Sequence, residues 1–320
     1  MDLSGIPLLD HHCHTFRLNS DAADDPDSVV VAGADGSRGP VPRAAGDLDR
    51  LRLRQILTEA TDPKVLTRDV PQTVAYRWAM RQLARLYDCA PTEDAIIEAR
   101  QHFPDALQRC LQEARYEAFI VDTGLRPSEY QEWREFRETV ARPVAPILRL
   151  ENYFERLILT HQTLADAVDV LEETIRGLRA SGFVGLKSIA AYRSGLLIEP
   201  VAAGEAGVVF ARLHDQARQA ADSQSGSSLA QTSERPRKPE TANSFRLAER
   251  TLINFFLWRL FPICAQEEIP LQFHVGYGDT DADQRWANPL HLRAVFEEKR
   301  LQSMPVVLLH CYPYVREAGY

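Results

Sequence analysis

Residues 8–16 read LLDHHCHTF, and the placing of the three histidines decides what the rest of the chain must build. The apolar run Ile6-Pro7-Leu8-Leu9 comes just before them and reads as a short buried strand. Side chains in a strand alternate faces, so His12 and His14 share one face with Asp10, while His11 and Cys13 take the other and pack outward against a helix. Two imidazoles side by side at a strand end can both ligate one metal ion, with Asp10 as support. Exchanging the two pairs would require a bulge in this strand.

Working outward, the 320 residues suit one α/β barrel with insertions, since such a barrel needs about 250. The chain is 45% hydrophobic and 26% charged, enough apolar material for a sizeable core. A net charge of -8 argues against a nucleic-acid partner, because a phosphate-binding surface needs excess Lys and Arg. Cys13, Cys89, Cys110, Cys264 and Cys311 are scattered, odd in number and form no CxxC pair, which favours a reducing, cytoplasmic setting. The N-terminus lacks the basic start and long apolar run of a signal peptide. The segment LINFFLWRLFPICA, interrupted by Arg259 and Pro262, is too short to span a bilayer and reads as a helix buried in protein, so no membrane partner is expected.

β-favouring runs recur near residues 118–122, 145–150, 183–189, 269–275 and 305–310, making about six strands with the first. Helical patterns lie between them. TLADAVDVLEETIRGLRASG has apolar spacing of three and four, with Gly182 past its end, and PLHLRAVFEEKRL starts with a Pro suited to a first turn. Alternating strands and helices imply parallel strands joined by crossovers. A doubly wound sheet and a (β/α)8 TIM-type barrel both fit, and the lack of a Gly-rich phosphate loop after the first strand weakens the former. Residues 15–89 form an insertion after strand 1: a loop rich in Asp, Gly, Pro and Ser, then an amphipathic helix, TVAYRWAMRQLARLYD. It would lie over a barrel mouth as a lid, although Tyr76, Trp78 and Tyr87 fit ordinary helix packing better. Residues 222–244 read as a flexible polar loop.

The strand ends carry the chemistry. After His12 and His14 come Lys187 on the fourth strand, His274 on the fifth and His310 on the sixth. A lone buried histidine is more often a hydrogen-bonded core residue than a ligand, but three strands each ending in histidine make chance a poor account. Tyr192 and Arg193 follow Lys187 in the fourth loop, where Arg193 could clamp a substrate carboxylate or form a surface salt bridge. Asp279, Asp281 and Asp283 lack the Gly and distal Glu of a calcium loop and read as a solvated, helix-capping segment.

HxH on the first strand, Lys on the fourth and His on the fifth and sixth resemble the amidohydrolase superfamily of metal-dependent barrels. The segments DHHCH, GLKSIAAYRSGL, FHVGYGDTD, NPLHLR and LLHCYPYVREAGY are similar to its amidohydrolase-related (amidohydrolase 2) group. They resemble in particular the barrel domain fused to a glutamine-synthetase-like domain in some fungal and plant proteins. The resemblance implies that His12, His14 and His274 bind a divalent metal, Zn or else Mn or Fe. His310 would be a ligand of a second metal or a base near the bound water. Lys187 would bridge two metals as a carbamate, or hold a substrate carboxylate as a cation. A bound Zn²⁺ lowers the pKa of its water to ~7, so the implied activity is hydrolysis of a C–N or C–O bond in a small carbonyl substrate. Related barrels decarboxylate or isomerise instead, and the ligand set does not separate these reactions.

The family pattern also needs an Asp at the end of an eighth strand. None follows His310 in this sequence. The expectation is therefore a single barrel domain over 1–320, truncated after about the sixth strand, with the last two βα units missing. A continuation of the same chain or a second copy would complete it, or the domain would be non-catalytic and regulatory.

Overall fold

The computed structural model describes residues 6–16, 50–58, 62–103, 105–124, 130–226, 245–278 and 282–319. Most of the expected Asp- and Gly-rich loop, residues 227–244 of the expected flexible loop, and Asp279 and Asp281 lie outside the described residues.

Six strands hydrogen-bond in chain order: β1 (Leu8–Cys13), β2 (Tyr116–Asp122), β3 (Val144–Arg149), β4 (Gly185–Ser188), β5 (Leu271–Val275) and β6 (Val306–His310). The pairings β1–β2, β3–β4, β4–β5 and β5–β6 are parallel, so each connection is a crossover. Helices fill these crossovers. Between β1 and β2 come α1 (Arg50–Gln55), α2 (Pro63–Arg68), α3 (Val74–Tyr87), α4 (Glu93–Gln101) and α5 (Ala106–Glu113), so the helical insertion runs past Cys89 as far as β2. Then follow α6 (Trp133–Val140), α7 (Leu150–Thr160), α8 (Leu164–Arg176), α9 (Ala203–Gly226), α10 (Arg250–Gln266) and α11 (Arg293–Glu297). The backbone of residues 222–226, expected in a loop, continues α9. The chain forms two compact units, Met1–Pro146 and Ile147–Tyr320, with the boundary inside β3.

In the second unit, β4 and β5 are buried at every position, as strands covered on both faces must be. The helix over LINFFLWRLFPICA is α10, and its sides are buried nearly all round: Leu252, Phe256, Leu257, Leu260, Phe261 and Cys264 are fully enclosed. Among the described residues no helix is long and apolar enough to cross a membrane. Phe256 packs on Phe154 of α7 with ring centroids 4.9 Å apart. Thr163 caps α8 by accepting from the Asp166 backbone N–H, 3.2 Å away. That helix ends earlier than expected: Gly177 is its cap, and Gly182 (φ 85°) serves the following turn. The PLHLRAVFEEKRL segment is broken into two 3₁₀ turns around the short α11.

In the first unit, β1 departs from its expected form. Leu8 and Leu9 are 41% and 53% exposed rather than buried, because β1 is an edge strand of the sheet. Tyr87 is buried in a small core with Leu53, Met80, Ala84 and Ile96, and Tyr76 packs against it, whereas Trp78 is exposed. Glu93 of α4 ties this core to α1. It accepts from Arg54 Nε and Nη2 at 2.6 and 2.8 Å and from the Tyr76 hydroxyl at 2.6 Å. Burial alone would raise its pKa, but the bonds from Arg54 and Tyr76 outweigh burial and hold the carboxyl below its ordinary 4.5. Tyr76 is pushed up to about 12 by burial and by Glu93.

A folded pKa below the unfolded one stabilises at pH above the unfolded value, and the contribution is lost as pH falls through the folded value. Arg54→Met is therefore expected to lower unfolding free energy by about 1.5–3 kcal/mol at neutral pH. Urea titrations should show the gap between variant and wild type narrowing below about pH 4.

Candidate metal centre

His11 and His12 lie within β1, and His14 follows directly after its last residue, Cys13. Asp10 pairs with Phe119 and Cys13 with Val121, so three steps on β1 face two on β2. This is a bulge at His11–His12, and it breaks the simple alternation. His12 and His14 nevertheless meet, with ring centroids 5.7 Å apart and planes at 76°. Asp10 supports them through the backbone, its Oδ1 accepting from the His12 N–H at 3.1 Å. Cys13 faces the core built on Phe119, Val121 and Phe136, as its expected side implies. His11 is exposed instead of packed against a helix, because the bulge turns it out of register.

In the second unit the strand ends bring Lys187, His274 and His310 to neighbouring strands. Lys187 pairs with Gln272 across β4–β5, and Val275 pairs with His310 across β5–β6. Lys187 and His274 are only 3% and 4% exposed. The rings of His274 and His310 stand 4.6 Å apart, and the Tyr192 ring lies 4.4 Å from His274 on its other contact. Burial, reinforced by His310 and Lys187, drives the His274 pKa down to about 3, so its imidazole is neutral at physiological pH. His310 is lowered too, by burial and then by the Lys187 charge, though part of its surface meets solvent.

The two ring nitrogens of His274 differ in their surroundings. One ring nitrogen bonds the Tyr277 backbone, and the other, Nε2, is buried with no hydrogen-bond partner among the described residues. A metal-binding histidine has this pattern: one nitrogen anchored, the other presenting its lone pair. Gly278 packs closely there and leaves no room for a side chain. A Cβ on it would lie 2.7 Å from His274 Nε2 and 2.1 Å from the Tyr192 hydroxyl. Among the described residues no three His, Cys, Asp or Glu side chains gather into a group able to hold an ion, and each compact unit holds one histidine pair.

His310 and Cys311 both have positive φ, 65° and 60°. Each centres a hydrogen bond between its two neighbours, Cys311 N to Leu309 O at 2.7 Å and Tyr312 N to His310 O at 2.8 Å, as in strained γ-turns. Such strain costs about 1–3 kcal/mol per residue and concentrates at functional sites.

Tyr192 closes a 3₁₀ turn after β4 and also lines a cavity of about 370 Å³ with Arg193, Arg250 and Trp286. Arg193 forms a salt bridge, but a buried one: its Nη1 lies 3.1 Å from Glu155 Oε1. Asp283 caps a 3₁₀ turn through the Arg285 N–H, as expected. Two residues escaped the sequence reading. Arg149, the last residue of β3, pairs in register with Lys187, and its charge reaches His274. The strand-end logic that found Lys187 applies equally to it. Glu151 is fully buried one residue into α7, and nothing in its local sequence announces it.

No family model matches the chain. It is 24% identical to Protein fluG of Emericella nidulans over 98% of its own length, and it spans 34% of that protein. A crystal structure from Lactobacillus casei ATCC 334, described provisionally as a metal-dependent hydrolase, matches all of the chain and 72% of its own length, at 29% identity and a TM-score of 0.71. The chain is similar to both proteins and shares the barrel fold of the second. The α/β, (β/α)8 TIM-type fold expected from the sequence holds here through the sixth strand, with the helical insertion after strand 1.

Beside His274, Gly278→Ala is expected to displace Tyr192 and destabilise the fold by about 1–3 kcal/mol through overpacking. Gly204→Ala, whose Cβ meets nothing within 4 Å, is the matched control for thermal melts.

Proposed function

We propose that this chain is a metal-dependent hydrolase that activates water against a C–N or C–O bond of a small carbonyl substrate. The observation that carries the reading is the buried, unpartnered Nε2 of a neutral His274 beside His310 and Lys187. A solved relative described provisionally as a metal-dependent hydrolase supports it at the level of hydrolase and metal. In this reading His274 of β5 is a ligand, and the ligand roles of His12 and His14 follow from the family resemblance of the sequence. Zn²⁺ is the proposed ion, with Mn or Fe as alternatives, since imidazole suits all three to differing degrees.

A bound divalent ion would supply an acidified water and polarise the substrate carbonyl. The protein's own groups do the rest. His310, lowered in pKa and reached by solvent, accepts the proton of the attacking water. Tyr192, against His274 and on the cavity wall, contacts the substrate. Lys187 either bridges two ions as a carbamate or, as an amine, holds an anionic substrate group. No two of the five cysteines form a disulfide, which accords with the proposed cytoplasmic setting.

Metal content by mass spectrometry tests the reading. Wild type should carry about one ion per chain if Lys187 is an amine and about two if it is a carbamate. His12→Ala and His274→Ala should each lose metal, and a metal-free wild type would overturn the proposal.

His310→Asn should keep its metal yet lose about 100-fold or more in turnover, measured on amides, lactones and carboxylated aromatics. Loss of metal in this variant would make His310 a ligand instead.

A further inference from the structure

Two carboxylates on one side of α7 take no part in the proposed chemistry, yet they grip the loop that carries Tyr192. Glu151 and Glu155 lie one helical turn apart and so face the same way. Glu151 Oε1 accepts from the Ser188 hydroxyl at 2.7 Å, and its Oε2 accepts from the Ile189 N–H at 2.9 Å. Ser188 in turn accepts from the Ala190 N–H at 3.2 Å. These contacts hold the peptide between the end of β4 and the 3₁₀ turn Ala190–Tyr192.

Glu155 acts on the other end of that turn. It pairs with Arg193 at 3.1 Å, with both side chains largely buried at 9% and 15% exposure. It also accepts from the Leu247 N–H at 2.8 Å, while Arg246 donates to the Tyr192 carbonyl at 3.0 Å. Residues 188–193 are thus tethered at both ends to a helix whose apolar side is buried in the main core.

A fully buried carboxylate is costly, and burial does push the Glu151 pKa up. An apolar residue of similar size would suit the core better unless the position does something else. What the tethered turn holds is Tyr192, with its ring 4.4 Å from His274 and its hydroxyl and His274 Nε2 both packed close to Gly278.

We propose that Glu151 and Glu155 are positioning residues, which hold residues 188–193 through Ser188, Ile189 and Arg193 and so keep Tyr192 against His274. Arg193 is then a structural link in this chain of contacts and not a clamp for substrate. The inference rests on the proposed role of His274 for its functional meaning, but the contact itself is testable without metal or substrate.

The test is nuclear magnetic resonance of the metal-free, full-length chain labelled at histidine Cε1. The His274 signal is assigned by its loss in His274→Asn. Tyr192→Leu removes the ring beside it and defines the direction in which the signal moves. Glu155→Gln, Glu151→Gln and Arg193→Ala should each move it in that direction, and Arg193→Lys should move it less. Glu172→Gln, which breaks the Arg259 ion pair elsewhere in the unit, should leave it in place. An unmoved signal in Glu155→Gln would overturn the proposal, as would an unmoved signal in Tyr192→Leu. Glu155→Gln keeps an acceptor for Leu247, so it decides the matter even if Glu151→Gln fails to fold. Zn²⁺ titration of the same wild-type sample tests the proposed function separately: its failure would leave the positioning result standing.

Discussion

A parallel strand buried on both faces can hold a polar side chain only where something answers it. β4 and β5 are buried at every position, and yet they carry Lys187, Ser188, Gln272 and His274. That constraint organises the second unit. Ser188 is answered by Glu151, and one nitrogen of His274 by the Tyr277 backbone. The other nitrogen of His274 is buried beside Gly278 with no hydrogen-bond partner among the described residues. The polar groups gather where the strands end because that is where a loop can supply partners the hydrocarbon core cannot.

The same constraint accounts for the unusual backbone at the end of β6. Val275 pairs with His310, and the chain then reverses through two residues of positive φ. Gly276 has a φ of 74°, and a Cβ there would lie 2.3 Å from the Tyr312 carbonyl oxygen. The Tyr277 N–H bonds that same carbonyl at 2.7 Å. The loops after β5 and β6 are therefore locked together, and they hold the His274 and His310 rings at 4.6 Å. The strain at His310 is offset by this locking rather than relieved.

The electrostatics run in one direction across these strand ends. His310 and the cations of Lys187 and Arg149 all weigh against protonating His274. A neutral imidazole is the form that offers a lone pair, and burial first, then these charges, hold His274 in that form. Farther along α7, the arginine that follows Tyr192 meets Glu155, which keeps that positive charge internal to the protein.

By itself the sequence determined the strand count, the parallel order and the identities of the strand-end residues, because burial on both faces writes continuous apolar runs and leaves chemistry visible at their ends. It also marked α10 as buried, since that helix has no polar face. It could not show that β1 would be exposed and bulged, because two-residue alternation presumes a regular partner, and β2 supplies one residue fewer across His11–His12. Nor could it say that Arg193 turns inward to a glutamate 38 positions earlier in the chain. Glu151 and Glu155 look, in sequence, like the polar side of an ordinary helix. Only the packing of α7 beside β4 decided that they face inward, because a helix reveals which side is buried and not what it is buried against.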